Sequence, residues 1–166
     1  NLTKTTKHTT NFADKSWNAR FDTMGDISEA AFERNHEKWT RYGLNRPDFP
    51  VARLPLATRY TPDYILEGRY FVEVQGCSPR AGIKLKLEKY VAIETAWHTV
   101  MPVLYFFWDS SRNMFVTIPL QELNKLIKSD QTTIGTFKDP GVEKPYWQLK
   151  TNMFEWTHDG EKAGVA

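Results

Sequence analysis

The segment PVLYFFWD at residues 102–109 sets the first limit on how this chain can fold. The run is uncharged until its last residue, and nearly all of its side chains are large and apolar. It is too short to span a bilayer and is typical of a strand buried on both faces. Such a strand requires a sheet with helices packed on both sides. A chain of 166 residues can bury one core of this kind without disulfides.

The rest of the pattern predicts one mixed sheet with flanking helices. A first helix should run from residue 26 to about 42, because Asp26 can cap it, Glu29 follows three residues later and Gly43 can end it. We expect a hairpin over 58–76 with its turn at 67–69, then a helix over 83–98. A strand at 114–118 and a helix at 120–128 follow, and beyond 129 the pattern fades. The predicted class is α/β, with a basic N-terminal arm (1–24), a core (25–128) and a C-terminal extension (129–166) that packs on the core or on a partner.

The charge is nearly balanced overall but is unevenly distributed. The net charge is +2, while residues 1–20 and 78–90 each carry four basic side chains against one acid. Either stretch could contact a phosphate backbone, or could be a solvated tail and a solvated helix face. A later stretch that interleaves aromatic and basic residues could stack on bases, cap the core or form a dimer contact; it comprises Trp147, Lys150, Phe154 and Trp156. The side chains predicted to bind nucleic acid are Lys4, Lys7, Arg80, Lys84 and Lys89.

Several classes of site are excluded by what the sequence lacks. A single cysteine, Cys77, allows neither an internal disulfide nor a multi-cysteine zinc site, and the four histidines lack ligand spacing. The sequence contains no GxGxxG motif and no P-loop, so we expect no nucleotide cofactor. Residues 1–20 contain no apolar signal core, which favours an intracellular protein without membrane contact. The first residue is Asn1 rather than Met, so we expect that an upstream segment was removed.

The predicted hairpin places two carboxylates opposite each other. If the hairpin is symmetric about Gly68, Asp63 faces Glu73, and Gln75 lies on the same face of the sheet. Like charges directly opposite destabilise a sheet, so some group must offset the repulsion. A divalent cation could do so, because Mg²⁺ takes carboxylate oxygens and keeps several waters. Alternatively, the acids lie at a wet strand edge or pair with an arginine such as Arg59 or Arg69.

These residues resemble a known family. Pro62 and Asp63, nine intervening residues and then Glu73-Val74-Gln75, within an αβββαβ order, resemble the PD-(D/E)XK nuclease superfamily. The resemblance is closest to its phage-type junction-resolving endonucleases, and it covers roughly residues 25–128. It implies a restriction-endonuclease-like core and an origin in a phage or mobile element. It also implies hydrolysis of phosphodiester bonds in branched or duplex DNA with Mg²⁺ or Mn²⁺. Two cuts need two sites, which favours a homodimer.

The resemblance also assigns roles within the site. Asp63 and Glu73 would hold the metal. The acid of the first helix would fall on Glu29, which would bind the metal or hold a metal-bound water; Glu33 is the competing choice, and the capping box is the alternative role of Glu29. Gln75 stands where the family most often has lysine, and its amide would orient the attacking water or support the metal. On a helix over 83–98, Lys86 interrupts the apolar face, so we expect it to supply the missing cation near the scissile phosphate, or to snorkel along the core edge.

Two further hypotheses remain open. The chain could be a DNA-binding module on the same fold that has lost catalysis through Gln75, or an assembly protein that keeps only the fold. The retention of both Asp63 and Glu73 favours the enzyme, because a decayed site has no reason to keep two opposed acids in apolar strands.

Overall fold

A computed structural model describes residues 24–43, 53–78, 80–139 and 142–160. Its helices and strands divide between a main sheet, a small sheet and the helices that cover them. In chain order they are α1 (Met24–Asn35), β1 (Trp39–Arg41), α2 (Leu56–Arg59), β2 (Tyr64–Leu66), β3 (Tyr70–Cys77), β4 (Ile83–Lys86), α3 (Leu87–Ala92) with a π-helical turn (Ile93–Trp97), β5 (Val103–Asp109), β6 (Met114–Pro119), α4 (Leu120–Ile127), β7 (Thr133–Asp139), β8 (Val142–Leu149) and β9 (Thr157–His158).

The main sheet is mixed, as the sequence predicts. Its six strands lie in the order β1-β2-β3-β5-β6-β9, with β3 and β5 parallel and the other neighbours antiparallel. The apolar run forms β5, next to the middle of the sheet, and each of its residues from Val103 to Asp109 is buried. The prediction of a strand buried on both faces is therefore confirmed.

Two apolar clusters cover the two faces of the main sheet. Helix α1 packs on one face, where Phe32 meets Tyr64 and Phe106. The other face, which carries Tyr105 and Phe107, is covered by α3, α4 and the small sheet. The alternation of side chains along β3 sends Val72 to the α1 face and Glu73 to the α3 face. Among the described residues, no helix is long and apolar enough to cross a membrane.

The first helix and the hairpin are shorter than the sequence suggests. Helix α1 ends at Asn35, and Lys38 has a φ of 57°, which turns the chain into β1. Trp39 and Tyr42 therefore do not continue the apolar stripe of the helix, because Trp39 pairs with Leu66 across the sheet. The first arm of the hairpin begins at Tyr64, and residues 56–59 form the short helix α2 instead.

Residues 83–86 form a strand, so the helix predicted over 83–98 was wrong in its first turn. Ile83 and Leu85 are buried, while Lys84 and Lys86 point the other way. This alternation has the period of a strand, and β4 pairs with β8 in a second sheet of order β4-β8-β7. The C-terminal extension thus completes both sheets, since β9 pairs with β6 and Leu149 lies in the core. Trp147, Phe154 and Trp156 pack on this core, as the capping alternative for that stretch proposed.

Candidate active site

Two carboxylates face each other at the start of the β2–β3 hairpin. Leu66 pairs with Tyr70 and Tyr64 with Val72, so Asp63, one residue before β2, lies opposite Glu73. The register predicted about Gly68 is confirmed. The backbone N–H of Val74 donates to Asp63 Oδ2 at 2.8 Å, which fixes the carboxylate beside the strand. Glu73 is only 1% exposed, and on its other side it neighbours Tyr105 of β5.

Lys89 of α3 supplies the positive charge at this pair. Its ammonium forms an ion pair with Glu73 Oε1, while about a third of the lysine side chain stays exposed. The arginines considered as partners lie elsewhere: Arg59 pairs with Glu88 at 3.6 Å, and Arg69 lies over the ring of Tyr70. The second oxygen of Glu73, Oε2, is buried and accepts no hydrogen bond from the described residues.

The electrostatics of the site favour an added cation or proton. Burial raises the pKa of Glu73 well above its usual value, the charge of Asp63 raises it further, and Lys89 opposes both effects. The protonated carboxyl can donate a hydrogen bond to Asp63, which also raises the pKa. Burial would lower the pKa of Lys89, but the charges of Glu73 and Asp63 outweigh that effect and raise it. One ammonium thus stands against two carboxylates, which leaves one negative charge without compensation from this lysine.

Helix α1 brings a third acid into the electrostatic range of the pair. Glu29 accepts a hydrogen bond from Arg41 at 3.1 Å, and burial followed by the charge of Asp63 raises its pKa to about 7, against the opposing effect of Arg41. Glu33 is placed differently, because its Oε1 accepts from the Tyr64 hydroxyl at 2.7 Å and from Arg41 at 3.0 Å. The charge of Asp63 thus acts on Glu29, while Glu33 is held by a hydroxyl and a guanidinium. The helix begins at Met24, so Asp26 is not its cap.

Gln75 lies on the same face as Glu73 but has a structural partner. Its Nε2 donates to the backbone carbonyl of Lys84 at 2.8 Å and so ties β3 to β4. The amide oxygen is the end of this side chain that could contact a metal ion or a water.

The basic residues of the 78–90 stretch separate into three environments. Lys86 does not lie on the inner face of a helix, as the sequence suggested; it is exposed at the end of β4, and its Nζ lies 5.9 Å from the centre of the Phe137 ring. Lys84 lies over the same ring and that of Tyr146, and Arg80 lines a cleft beside the small sheet. Lys89, expected to contact phosphates, contacts Glu73 instead. Lys4 and Lys7 lie outside the described residues.

The donor set suits a hard cation held by few protein ligands. In the part of the chain that the structure describes, no three side chains among His, Cys, Asp and Glu form a group that could hold a metal ion. Glu73 of β3 and Asp63, which directly precedes β2, nonetheless offer two carboxylates, and the buried Oε2 of Glu73 has no donor among the described residues. Mg²⁺ is commonly bound through one or two carboxylates, with waters and substrate phosphates completing its shell. The pair fits that manner of binding.

The sequence did not point to a second polar group beside the site. The Tyr60 hydroxyl donates to Glu88 at 2.9 Å, and Glu88 also pairs with Arg59. Glu88 directly precedes Lys89, so this group holds the first turn of α3 against the residues that lead into β2.

Comparison of the chain with family models, with curated proteins and with solved structures finds no match in any of the three.

Proposed function

We propose that this chain is a divalent-metal-dependent DNA endonuclease built on a restriction-endonuclease-like core. The observation that carries the proposal is the ion pair of Lys89 with Glu73, beside Asp63. Two acids that face each other at a solvent-exposed strand edge would by themselves not indicate a function. An acid that is 1% exposed, set against a second acid and joined by a lysine from a covering helix, is a costly arrangement. Perturbed groups of this kind concentrate at functional sites.

The roles of the residues follow from their positions. Asp63 and Glu73 would hold Mg²⁺ or Mn²⁺, with Glu29 accepting from a water of the shell. When bound, such an ion polarises the phosphoryl group and lowers the pKa of a bound water. Lys89 would supply the charge that Gln75 lacks, because its ammonium could exchange its contact with Glu73 for a contact with the scissile phosphate. Gln75 keeps β4 in place and offers its amide oxygen to the water.

The second candidate is a DNA-binding module that keeps the fold without catalysis. Lys89 favours it to the extent that an ammonium already offsets the repulsion between Asp63 and Glu73. In that case the acids need no metal, and Gln75 serves only to join two strands.

Cleavage assays separate the two candidates. We would incubate the protein with linear duplex, single-stranded, flap and four-way-junction DNA in Mg²⁺, Mn²⁺ or EDTA. The endonuclease should cut at least one substrate with a metal and none in EDTA. Asp63→Asn and Glu73→Gln should abolish cutting while DNA binding survives, whereas Lys125→Ala, an exposed change on α4, should have no effect. Full activity in either acid variant would end the site assignment, and metal-independent binding without any cleavage would establish the binding module.

Lys89 and Lys86 give a matched pair for the same assay. Lys89→Met should lower the cleavage rate by about a hundredfold or more, because it removes the charge from the acid pair. Lys86→Met, three residues earlier and exposed, should change the rate far less. Equal losses in the two variants, matched by equal losses in binding, would show that both lysines only contact the DNA backbone. An active enzyme that sediments as a dimer would support paired cuts.

A further inference from the structure

Among the side chains that the structure describes, the outer face of the small sheet carries lysines and aromatic rings. By the pairing of β4 with β8 and of β8 with β7, alternate side chains share the face that points away from the core. We name this the aromatic–basic face; its described side chains are Lys84, Lys86, Thr133, Phe137, Lys144, Tyr146 and Gln148. The inner face of the same sheet carries Ile83, Leu85 and Leu149, all buried in the core.

The two aromatic rings of this face contact each other. The centres of Phe137 and Tyr146 lie 4.4 Å apart, and both rings are half-buried. The Tyr146 ring lies across Gly135, where a Cβ atom would stand 2.4 Å from the ring. The absence of a side chain at residue 135 therefore lets the tyrosine lie flat on the sheet. The planes of the two rings are inclined by 47°, so each half-buried ring offers its own face on which a nucleobase can stack.

The cations lie beside these rings. The Lys84 ammonium is 5.1 Å from the centre of the Tyr146 ring and 5.7 Å from that of Phe137. Lys86 is also over Phe137, and Lys144 is the cross-strand neighbour of Phe137. A base that contacts a ring would thus bring its phosphate within reach of a lysine, which can exchange its contact with the ring for a contact with the phosphate.

A cleft continues the aromatic–basic face at one end of the small sheet. The cleft has a volume of about 480 Å³, and Gln148 and Thr133 belong both to its lining and to the sheet face. Arg80 and Lys150 supply two further cations, while Thr151 and Asn152 add polar groups. Among the described side chains, lysine and arginine residues therefore line the path from Lys86 along the face to Lys150. This distribution of positive charge complements a polyanion.

We infer that the aromatic–basic face and its cleft bind an unpaired stretch of nucleic acid. Ring–ring and ammonium–ring contacts account for the stability of the sheet surface, but they do not require five cations along one path. Stacking on Tyr146 and Phe137 would select unpaired nucleotides over duplex, because the bases of a duplex already stack on each other.

The position of this surface specifies the substrate of the proposed nuclease. Lys86 ends the face and Lys89 reaches Glu73, so at most about 11 Å of chain separates their backbones. The Gln75 amide also joins β3 to Lys84 of this face. Resting on the proposed function, this arrangement would present a strand that leaves the face to the acid pair, as in DNA with a flap or an opened end.

Binding is tested without cleavage, so the two proposals are separated. We would titrate the protein in EDTA into fluorescein-labelled single-stranded oligothymidylate, oligouridylate and a duplex of the same length, and follow the anisotropy. The wild type should bind at least one single strand more tightly than the duplex. The oligothymidylate and oligouridylate arms show whether DNA or RNA is preferred.

Ring and charge variants then divide stacking from electrostatics. Tyr146→Leu should weaken single-strand binding about tenfold or more, while Tyr146→Phe, which keeps the ring over Gly135, should restore it and show that the fold is intact. The double change Lys84→Gln with Lys86→Gln should flatten the salt dependence of log Kd by about 1.4 for a single strand. Lys125→Ala should alter neither quantity.

Two results would overturn the inference. One is single-strand affinity that stays unchanged in a folded Tyr146→Leu variant; the other is a duplex that binds as tightly as the single strand with the same response to the variants. If the face variants bind normally while Asp63→Asn abolishes cleavage, the nuclease stands and this surface fails. If the face variants lose binding while the wild type cuts no substrate, the surface stands and the nuclease fails.

Discussion

Removal of the Lys89 charge tests the electrostatic account of the site without any substrate. Lys89→Met keeps most of the length of the side chain and deletes the ammonium that pairs with Glu73. Glu73 would then be a buried carboxylate facing Asp63 without compensation. Two unit charges in contact at about 3 Å attract by about 5 kcal/mol at an effective dielectric constant of about 20.

The measured loss should be smaller than this attraction. Lys89 is about one-third exposed, so solvent screens part of the interaction. The carboxyl can also take up a proton, because burial and Asp63 already raise its pKa. We therefore expect Lys89→Met to lower the free energy of unfolding by about 2–3 kcal/mol at pH 8. For a chain of this size that corresponds to a melting temperature lower by about 8 °C.

The double-mutant cycle with Glu73→Gln isolates the pair. Glu73→Gln removes the repulsion from Asp63 together with the ion pair, so we expect it to change the free energy of unfolding by less than about 1 kcal/mol. In that background Lys89→Met should cost about 1 kcal/mol or less, because no buried charge is left alone. Urea unfolding at pH 8 measures all four proteins, with Lys86→Met as the exposed control. If Lys89→Met costs the same in both backgrounds, the lysine does not stabilise Glu73 and the reasoning fails.

Three further outcomes are expected from the same groups. The pKa of Glu29 is raised to about 7 in the folded protein, so Glu29 keeps a proton that the unfolded chain releases, and the wild type should lose stability as the pH rises from 4.5 to 7. Urea unfolding at pH 5 and pH 8 should show that Glu29→Gln abolishes up to about 3 kcal/mol of that loss. The same pH dependence in both proteins would contradict this prediction. Mn²⁺ at ten times its Kd should raise the melting temperature by about 4 °C, and this shift should vanish in Glu73→Gln. If a calorimetric titration with millimolar Mg²⁺ or Mn²⁺ shows no heat of binding, with or without DNA, the non-catalytic module is favoured. Gln75→Leu should cost about 1 kcal/mol by freeing β4 from β3 even if activity persists, and an unchanged urea midpoint would show that its hydrogen bond to Lys84 contributes nothing.

The parts of the fold that the sequence predicts are those with a strong local pattern. The apolar run of β5, the strand β6 and the helix α4 are found where the pattern put them. The acid pair was predictable for the same reason, because the tight turn at Gly68, which has a φ of 64°, fixes the register of the hairpin.

The small sheet was not predictable, and its chemistry explains why. A half-buried strand is recognised by apolar residues that alternate with polar ones. In β7 and β8 the outward positions hold Phe137 and Tyr146, while the inward Ile134 is 77% exposed. Because aromatic rings occupy the outer face, these strands lack the alternation of apolar and polar residues by which a strand is recognised. The same aromatic rings suggest a binding surface.

The choice between Lys86 and Lys89 depends on where a helix begins. With a helix from residue 83, Lys86 shares a face with Ile83 and Tyr90 and points inward. The same sequence also fits a four-residue strand with Ile83 and Leu85 facing the core. Pairing with β8 favours the strand, because it buries both residues fully. The helix then starts at Leu87, and Lys89 precedes Ala92 by three and Ile93 by four, the two spacings that put side chains on one helical face. Both of those residues are buried, so Lys89 is carried inward to Glu73 while Lys86 stays at the surface. The side-chain periodicity thus changes from two residues in β4 to 3.6 residues in α3 within ten residues, and this change determines which lysine contacts the acid pair.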